Sequence, residues 1–256
     1  MATGIAVHDL EDVTPEIVVY QLMTQSTKTA EIIWDHESIK ELRHKCPNAR
    51  LYSHAMFKIV LGKGYTIYLF REHYLYLCKE QFQGYVVHIP ANMEVDYCIA
   101  EIKRLLKSTE KFINANARIT HMPIVYFEHI PSEYYSANMH VFGKKLRSMV
   151  KNSNISIPVG LCIDTCHLYV SGISLASANT AREYMTEIES VGLPILMHLN
   201  DSVNELGSFN DRHGELGSKI WKDDKSGLRY LKNTTYDKII ELGEAQSSIA
   251  LLNELK

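Results

Sequence analysis

Histidine, aspartate and glutamate fall at one recurring place in this chain, directly after short apolar runs. Arg50-Leu-Tyr-Ser-His54 and Gly84-Tyr-Val-Val-His88 each close on an imidazole, and Ile124-Val-Tyr-Phe-Glu128 closes on a carboxylate. Val159-Gly-Leu-Cys-Ile-Asp164-Thr-Cys-His167 ends in an acid and an imidazole three residues apart. Ile195-Leu-Met-His198 is followed by Asn200, Asp201 and then Asp211-Arg212-His213. Imidazole and carboxylate together, without cysteines at ligand spacing, suit zinc or manganese better than calcium, which takes oxygen ligands only. His54, His88, Glu128, Asp164, His167, His198, Asp211 and His213 exceed one catalytic zinc site, which needs three protein ligands and a water. Two or three ions are implied, and a shared carboxylate bridging two ions about 3.5–4 Å apart is an arrangement that hydrolyses phosphate esters. A single histidine after a strand is ordinarily a capping or packed residue, and His8, His36, His44, His73, His121, His129 and His140 read that way, with His129 in reach of the site beside Glu128. Cys162 reads as a small buried hydrophobe and Cys166 as a loop residue.

Such groups act together only if a fold converges them. Apolar runs of strand length lie at 4–7, 17–23, 50–53, 84–88, 124–128, 159–163, 195–199 and 249–252. Helical patterns lie between several of them, at 95–114, 137–150 and 177–191, each with its apolar residues near one face. Strand-then-helix alternation argues for a parallel sheet, and eight strands close a barrel. The expected fold class is therefore α/β, a single TIM (β/α)8 barrel occupying residues 1–256 as one domain. Its carboxyl-terminal strand ends share one face, where the ligands would meet. The first crossover is short: about eight residues, Asp9 to Glu16 with Pro15 among them, where a dozen or more is usual, so its helix is expected to be brief or missing. Residues 219–232 read as a solvated insertion of mixed charge, with a DNA-contacting loop as the alternative.

Composition narrows the classes further. At 46% hydrophobic and 22% charged residues the chain is an ordinary globular one, not disordered or fibrous. No apolar run exceeds five residues, Tyr74 to Cys78, too short to span a membrane, and the first residues lack the basic leader and apolar stretch of a secretory signal. Five cysteines, an odd number, in a chain large enough to need no staples point to an intracellular, reducing compartment. A net charge of −3 argues against nucleic-acid binding by bulk charge, but leaves open an acidic site neutralised locally by metal.

Gly160-Leu-Cys-Ile-Asp-Thr-Cys-His167, Met197-His-Leu-Asn-Asp-Ser202 and Asp211-Arg-His-Gly-Glu-Leu-Gly217 resemble the signature segments of endonuclease IV, the zinc-dependent apurinic/apyrimidinic (AP) endonuclease family built on a TIM barrel. Ser53-His-Ala-Met-Phe57, His88 and Glu128 fit more loosely. The resemblance implies three zinc ions, with manganese as a substitute. His54, His88 and Glu128 would hold the first, Glu128, Asp164 and His198 the second, and His167, Asp211 and His213 the third. It implies a ninth ligand, a glutamate ending the last strand. An ungapped match puts Asn253 there, and a one-residue shift delivers Glu254, the expected ligand. Glu128, Asp164 and His198 are the expected catalytic centre, and Phe57, Lys28, Asn200 and Arg212 the expected DNA contacts.

The implied reaction is hydrolysis of the phosphodiester 5′ to an abasic site in double-stranded DNA, the incision step of base excision repair, by a monomer. Accompanying 3′-phosphodiesterase or exonuclease action stays open. Two other readings also stay open: a metal-dependent sugar isomerase or epimerase on a related barrel, and a degenerate, non-catalytic DNA-binding relative motivated by Asn253.

Overall fold

The computed structural model describes every residue except 1, 9, 15, 27, 28, 57, 58, 117, 243–245, 255 and 256. Eight parallel strands close a barrel: β1 (Thr3–Val7), β2 (Val19–Leu22), β3 (Arg50–His54), β4 (Gly84–Ile89), β5 (Ile124–His129), β6 (Val159–Asp164), β7 (Ile195–His198) and β8 (Asp237–Ile240). Each pairs with its sequence neighbours, and β8 closes the ring on β1. The helices around it are α1 (His36–Lys45), α2 (Gly64–Lys79), α3 (Val95–Asn116), α4 (Glu133–Ser153), α5 (Thr165–Val170), α6 (Ala178–Ser190), α7 (Ser226–Lys232) and α8 (Gln246–Glu254). This is the TIM barrel that the alternating runs predict. Between β1 and β2 the only helical element among the described residues is a single 3-10 turn, Leu10–Asp12, as the short connection requires.

Side chains alternate across a strand, so every second residue faces the barrel axis. Val19, Tyr52, Val86, Tyr126, Cys162, Leu196 and Ile239 fill that interior as one cluster, while the opposite strand faces join the larger core under the helices. Glycine makes the tyrosines fit. A Cβ on Gly160 would lie 2.6 Å from the Tyr126 ring and 2.7 Å from the Pro194 carbonyl oxygen, so this glycine of the signature segment is required by packing.

Two expectations need correction. The run at 249–252 is not the last strand; it lies in α8, where Ser248 and Leu252 are buried four residues apart, a helical spacing. The last strand is β8, whose apolar run is broken by Lys238. Lys238 faces outward from the barrel axis and is buried, its ammonium donating to the Thr234 and Tyr236 carbonyls at 2.9 Å each. The segment 219–232 is a solvated insertion only in part: the charged residues Lys222, Asp223, Asp224 and Lys225 are exposed, while the apolar ones pack inward. Trp221 is fully buried with its indole N–H on the Leu175 carbonyl, and Leu228 and Leu231 of α7 are buried in the outer core.

Burial holds the Lys238 ammonium at a pKa of about 8, below the value near 10.4 of a lysine in an unfolded chain. Between those values the unfolded chain binds more protons, so this residue makes stability rise with pH. In urea unfolding, the stability of the wild type relative to Lys238→Met should climb from pH 8 to about pH 10; a difference that stays flat would contradict the assignment.

Candidate metal centre

The barrel interior positions the site by simple arithmetic. Two residues beyond each of its seven members, on the same face of the same strand or at its end, come Gln21, His54, His88, Glu128, Asp164, His198 and Glu241. Register brings them level in pairs, His88 with Glu128 and Asp164 with His198, with a two-residue step between His54 and His88 and between Glu128 and Asp164. Six of the seven are imidazoles or carboxylates.

Glu128 is the hub. Its Oε2 lies 3.2 Å from Nε2 of both His54 and His88, while its Oε1 lies 2.9 Å from His198 Nδ1. His198 Nδ1 is also 3.1 Å from Glu241 Oε2 and 3.9 Å from Asp164 Oδ2. The third group stands beside these: His167 Nε2 is 3.0 Å from Asp211 Oδ2, and His213 Nε2 is 3.4 Å from Asp211 Oδ1 and 3.5 Å from Asp164 Oδ2. Donor atoms thus lie within 4.8 Å of one another inside each of three sets: His54, His88 and Glu128; Glu128, Asp164, His198 and Glu241; and His167, Asp211 and His213.

Local structure fixes each ring. His54 Nδ1 donates to the Ala55 carbonyl at 2.8 Å and His167 Nδ1 to the His129 carbonyl at 2.7 Å, which leaves both Nε2 lone pairs toward the carboxylates. His198 Nε2 lies 2.8 Å from Gln21 Oε1, and Gln21 also donates to Glu241. Asp164 caps α5, its Oδ1 accepting the His167 amide at 2.9 Å, so one carboxylate orients the next candidate ligand through the backbone.

The electrostatics identify what the cluster lacks. Among the described residues, the ion partners of Glu128, Asp164, Asp211 and Glu241 are all histidines. Burial alone would raise the Glu128 carboxyl, yet the facing His198 and His88 hold it well below the usual range, and Glu241 is held down by His198 in the same way. Burial opposes charge on His167 and His213, but the carboxylates override it, Asp164 foremost, and raise them to about 10 and 9. Four close-set acids with five imidazoles, and no lysine or arginine paired to them among the described residues, fit a multivalent cation site by donor chemistry: positive charge is needed there, and metal can supply it once the imidazole protons leave.

The fourth carboxylate of the cluster is Glu241, which the sequence reading missed. Glu254, expected in that role, and Asn253 are exposed at the end of α8. That helix runs back from the site, and Asn253 shares a cavity with Ala2, Thr3 and Glu16 at the opposite barrel end. Tyr-Asp-Lys-Ile-Ile-Glu241 carries the same strand-then-acid signal as the other segments, obscured because Lys238 leaves only two consecutive apolar residues. Gln21 was missed because a lone amide in an apolar strand carries no ligand signal. Asn200, expected at the DNA, is fully buried instead, donating to Asp164 at 2.7 Å and to Glu241 at 3.1 Å. Cys166 is not a loop residue but lies buried on α5, its Sγ 3.6 Å from Asp211 Oδ1. Arg212 is exposed beside the third group, and Phe57 and Lys28 lie outside the described residues.

No family model matches the chain. A probable AP endonuclease of African swine fever virus is 29% identical over 160 residues, 60% of this chain and 50% of that protein. A probable endonuclease 4 of Chlorobium phaeovibrioides is 40% identical over 89 residues, 34% of this chain and 31% of that protein. The chain thus spans about half the length of the viral relatives it matches. Among solved structures, "The crystal structure of AsfvAP:AG" superposes with a TM-score of 0.76 at 22% identity, over 98% of this chain and 94% of that one. Endonuclease IV from Thermus thermophilus gives 0.72 at 17% identity, over 99% and 96%. A D-tagatose 3-epimerase-like protein gives 0.64 at 16% identity, over 100% and 97%, and all three likenesses speak for the fold alone.

Replacing Glu241 by Gln should lower metal affinity by at least about 10–100-fold, the cost usual for an outer partner of a metal ligand, while Glu254→Gln should leave it unchanged. Metal content after dialysis against graded chelator reads this directly, and loss in the Glu254 variant alone would reverse the assignment. The chain is thus similar in sequence to proteins named AP endonuclease and endonuclease 4, and it shares its barrel fold with the solved endonuclease IV from Thermus thermophilus.

Proposed function

We propose that the chain is a zinc-dependent AP endonuclease that hydrolyses the phosphodiester 5′ to an abasic site in double-stranded DNA, acting as a monomer and as one domain. The observation that carries this reading is the two-sided engagement of Glu128, one oxygen toward His54 and His88, the other toward His198. A carboxylate so placed serves two adjacent ions. On this reading His54, His88 and Glu128 hold the first zinc, Glu128, Asp164, His198 and Glu241 the second, and His167, Asp211 and His213 the third. Bound there, zinc would supply Lewis acidity toward phosphate oxygens and a water acidified to near neutral pH.

The chain's own residues set the conditions for that chemistry. Gln21 and Asn200 fix the His198 ring and the Asp164 and Glu241 carboxylates from behind, so the donors need little reorganisation. Buried walls keep bulk water from competing, and Arg212 stands exposed at the rim where a phosphate would approach. Selectivity follows from the lesion, because a nucleotide without its base has lost stacking and pairing and leaves the duplex at low cost. The product would carry a 3′-hydroxyl ready for repair synthesis.

The competing readings lose support. An isomerase of the epimerase-like barrel type needs one or two ions, whereas three donor groups converge here. The degenerate relative was motivated by a doubtful ninth ligand, and the closeness of Glu241 to Glu128, Asp164 and His198 speaks against it. An intracellular, reducing setting is consistent with cysteines that are free and buried, and no helix among the described residues is long and apolar enough to cross a membrane.

Purified protein should carry close to three zinc ions and nick a duplex bearing a tetrahydrofuran residue, an abasic analogue that resists β-elimination. Asp164→Ala should reduce that rate by at least about 100-fold, since it removes a ligand and not merely its support. Absence of nicking by zinc-loaded protein would overturn the proposal.

A further inference from the structure

Two residues of the third donor group, Asp211 and His213, come from outside the barrel strands. They lie on the excursion between β7 and β8, where Asp201–Ser202 pairs antiparallel with His213–Gly214 over two residue pairs. A ribbon that short is marginal on its own, and ordering the connecting loop 203–212 costs conformational entropy at every residue. Whatever fixes this excursion decides where the two donors stand.

Asp201 is placed to do so. Its side chain is fully buried, and among the described residues it meets no lysine, arginine or histidine at ion-pair distance. Three backbone amides take that place: those of Ser202 and Ile220 donate to Oδ1 at 2.7 and 2.6 Å, and that of Gly217 donates to Oδ2 at 2.8 Å. The Ser202 contact is local, but Gly217 and Ile220 lie 16 and 19 residues further along, beyond His213. Both carboxylate oxygens are therefore occupied in closing the excursion on itself, through hydrogen bonds about twice as strong as neutral ones. The far side of this clamp is anchored, since Ile220 and Trp221 are buried in the outer core and the Trp221 indole N–H donates to the Leu175 carbonyl at 3.1 Å. The near side is set by register, with Asp201 facing Gly214 and Ser202 facing His213. The two arms approach closely: a Cβ on Gly214 would lie 3.1 Å from the Ser202 carbonyl carbon.

We propose that Asp201 is the positioning residue of the third donor group: its carboxylate, rather than a bound ion, holds the excursion that carries Asp211 and His213 to His167. The inference rests on the three-ion centre of the AP endonuclease reading and names what makes its third member conditional. The first two groups stand at barrel strand ends, above the packed interior layer, and do not depend on the excursion. Asn200, one residue earlier, supports Asp164 and Glu241 of the second group, so two consecutive side chains after β7 serve two different groups. Donors already in place lose little freedom when an ion binds, whereas an unclamped loop would have to be ordered by the ion itself.

Two measurements on the full chain test this. In wild-type protein stripped of metal by chelator, the amides of Gly217 and Ile220 should keep their protection in hydrogen exchange, because Asp201 holds them without the ion. Asp201→Asn keeps the size of the side chain but sets its N–H group against a backbone N–H, since each carboxylate oxygen already accepts one. Its zinc content after dialysis should fall from about three ions to about two, one for each undisturbed donor group. The third ion should be held about 10–100-fold more weakly, the size usual for losing an outer support of a metal ligand. His213→Ala removes a third-group donor outright and should show the same loss, and the double variant should lose no more than either alone. Five results overturn the assignment: protection that vanishes with the metal, a wild type without a third ion, three tightly held ions in Asp201→Asn, loss of all three at once, or a further loss in the double variant. Should Asp201→Asn not fold, exchange in the wild type decides alone. A wild type that gives the expected results yet leaves a tetrahydrofuran duplex uncut would remove the nuclease reading and leave the positioning role standing.

Discussion

A carboxylate cannot be buried without a positive partner, and this requirement organises the top of the barrel. Glu128, Asp164 and Glu241 sit among imidazoles, with no lysine or arginine paired to them among the described residues. Protons shared with histidine meet part of the demand, and divalent cations meet it better because each faces several oxygens and ring nitrogens at once. Glu128 makes the sites interdependent: whatever binds at one oxygen alters the charge felt at the other. An arrangement of this kind lets a chain of net charge −3 concentrate positive charge at one place once cations are bound.

The barrel supplies precision by repetition. Seven strands each place one residue in the interior cluster and the residue two further on at the mouth, so a packed layer of Tyr52, Tyr126, Leu196 and their neighbours becomes the floor on which the donors stand. Rings seated on a close-packed layer and bonded by Gln21, Asn200 and the Ala55 and His129 carbonyls have few alternative rotamers. The third donor group is built differently. Asp211 and His213 come from a loop and a two-residue strand, and their placement depends on hydrogen bonds from 203–212 back to Tyr169 and Val170 at the end of α5. His167 lies on that same short helix, so one helix anchors both parts of the group.

Much of this was legible in the chain itself. Strand-length apolar runs ending in histidine or acid identified five of the candidate donors, His54, His88, Glu128, Asp164 and His198, because an i, i+2 pattern needs no knowledge of distant residues. The signature segments around Asp164, His198 and Asp211 pointed to the family, and their order along the chain was enough. The short link after β1 announced its missing helix by length alone.

What remained hidden depended on which other elements surrounded a residue. Lys238 looks like a break in an apolar run, and only the fold shows it turned outward with its ammonium on two carbonyls while Ile239 and Glu241 face inward. Ile249 to Leu252 satisfies strand and helix patterns alike at that length, and the choice falls to the barrel, already closed by β8 on β1. Trp221 sits in a charged stretch, yet packing beneath the helices buries it completely. Asn200 has the polarity of a surface residue and becomes the support of two carboxylates because three strand ends meet around it. The sequence by itself determined the donor types, their spacing and the barrel's period, all local properties of the backbone. Tertiary structure alone decided which acid completes the ring and which apolar side chains stay exposed, since both follow from contacts between residues far apart in the chain.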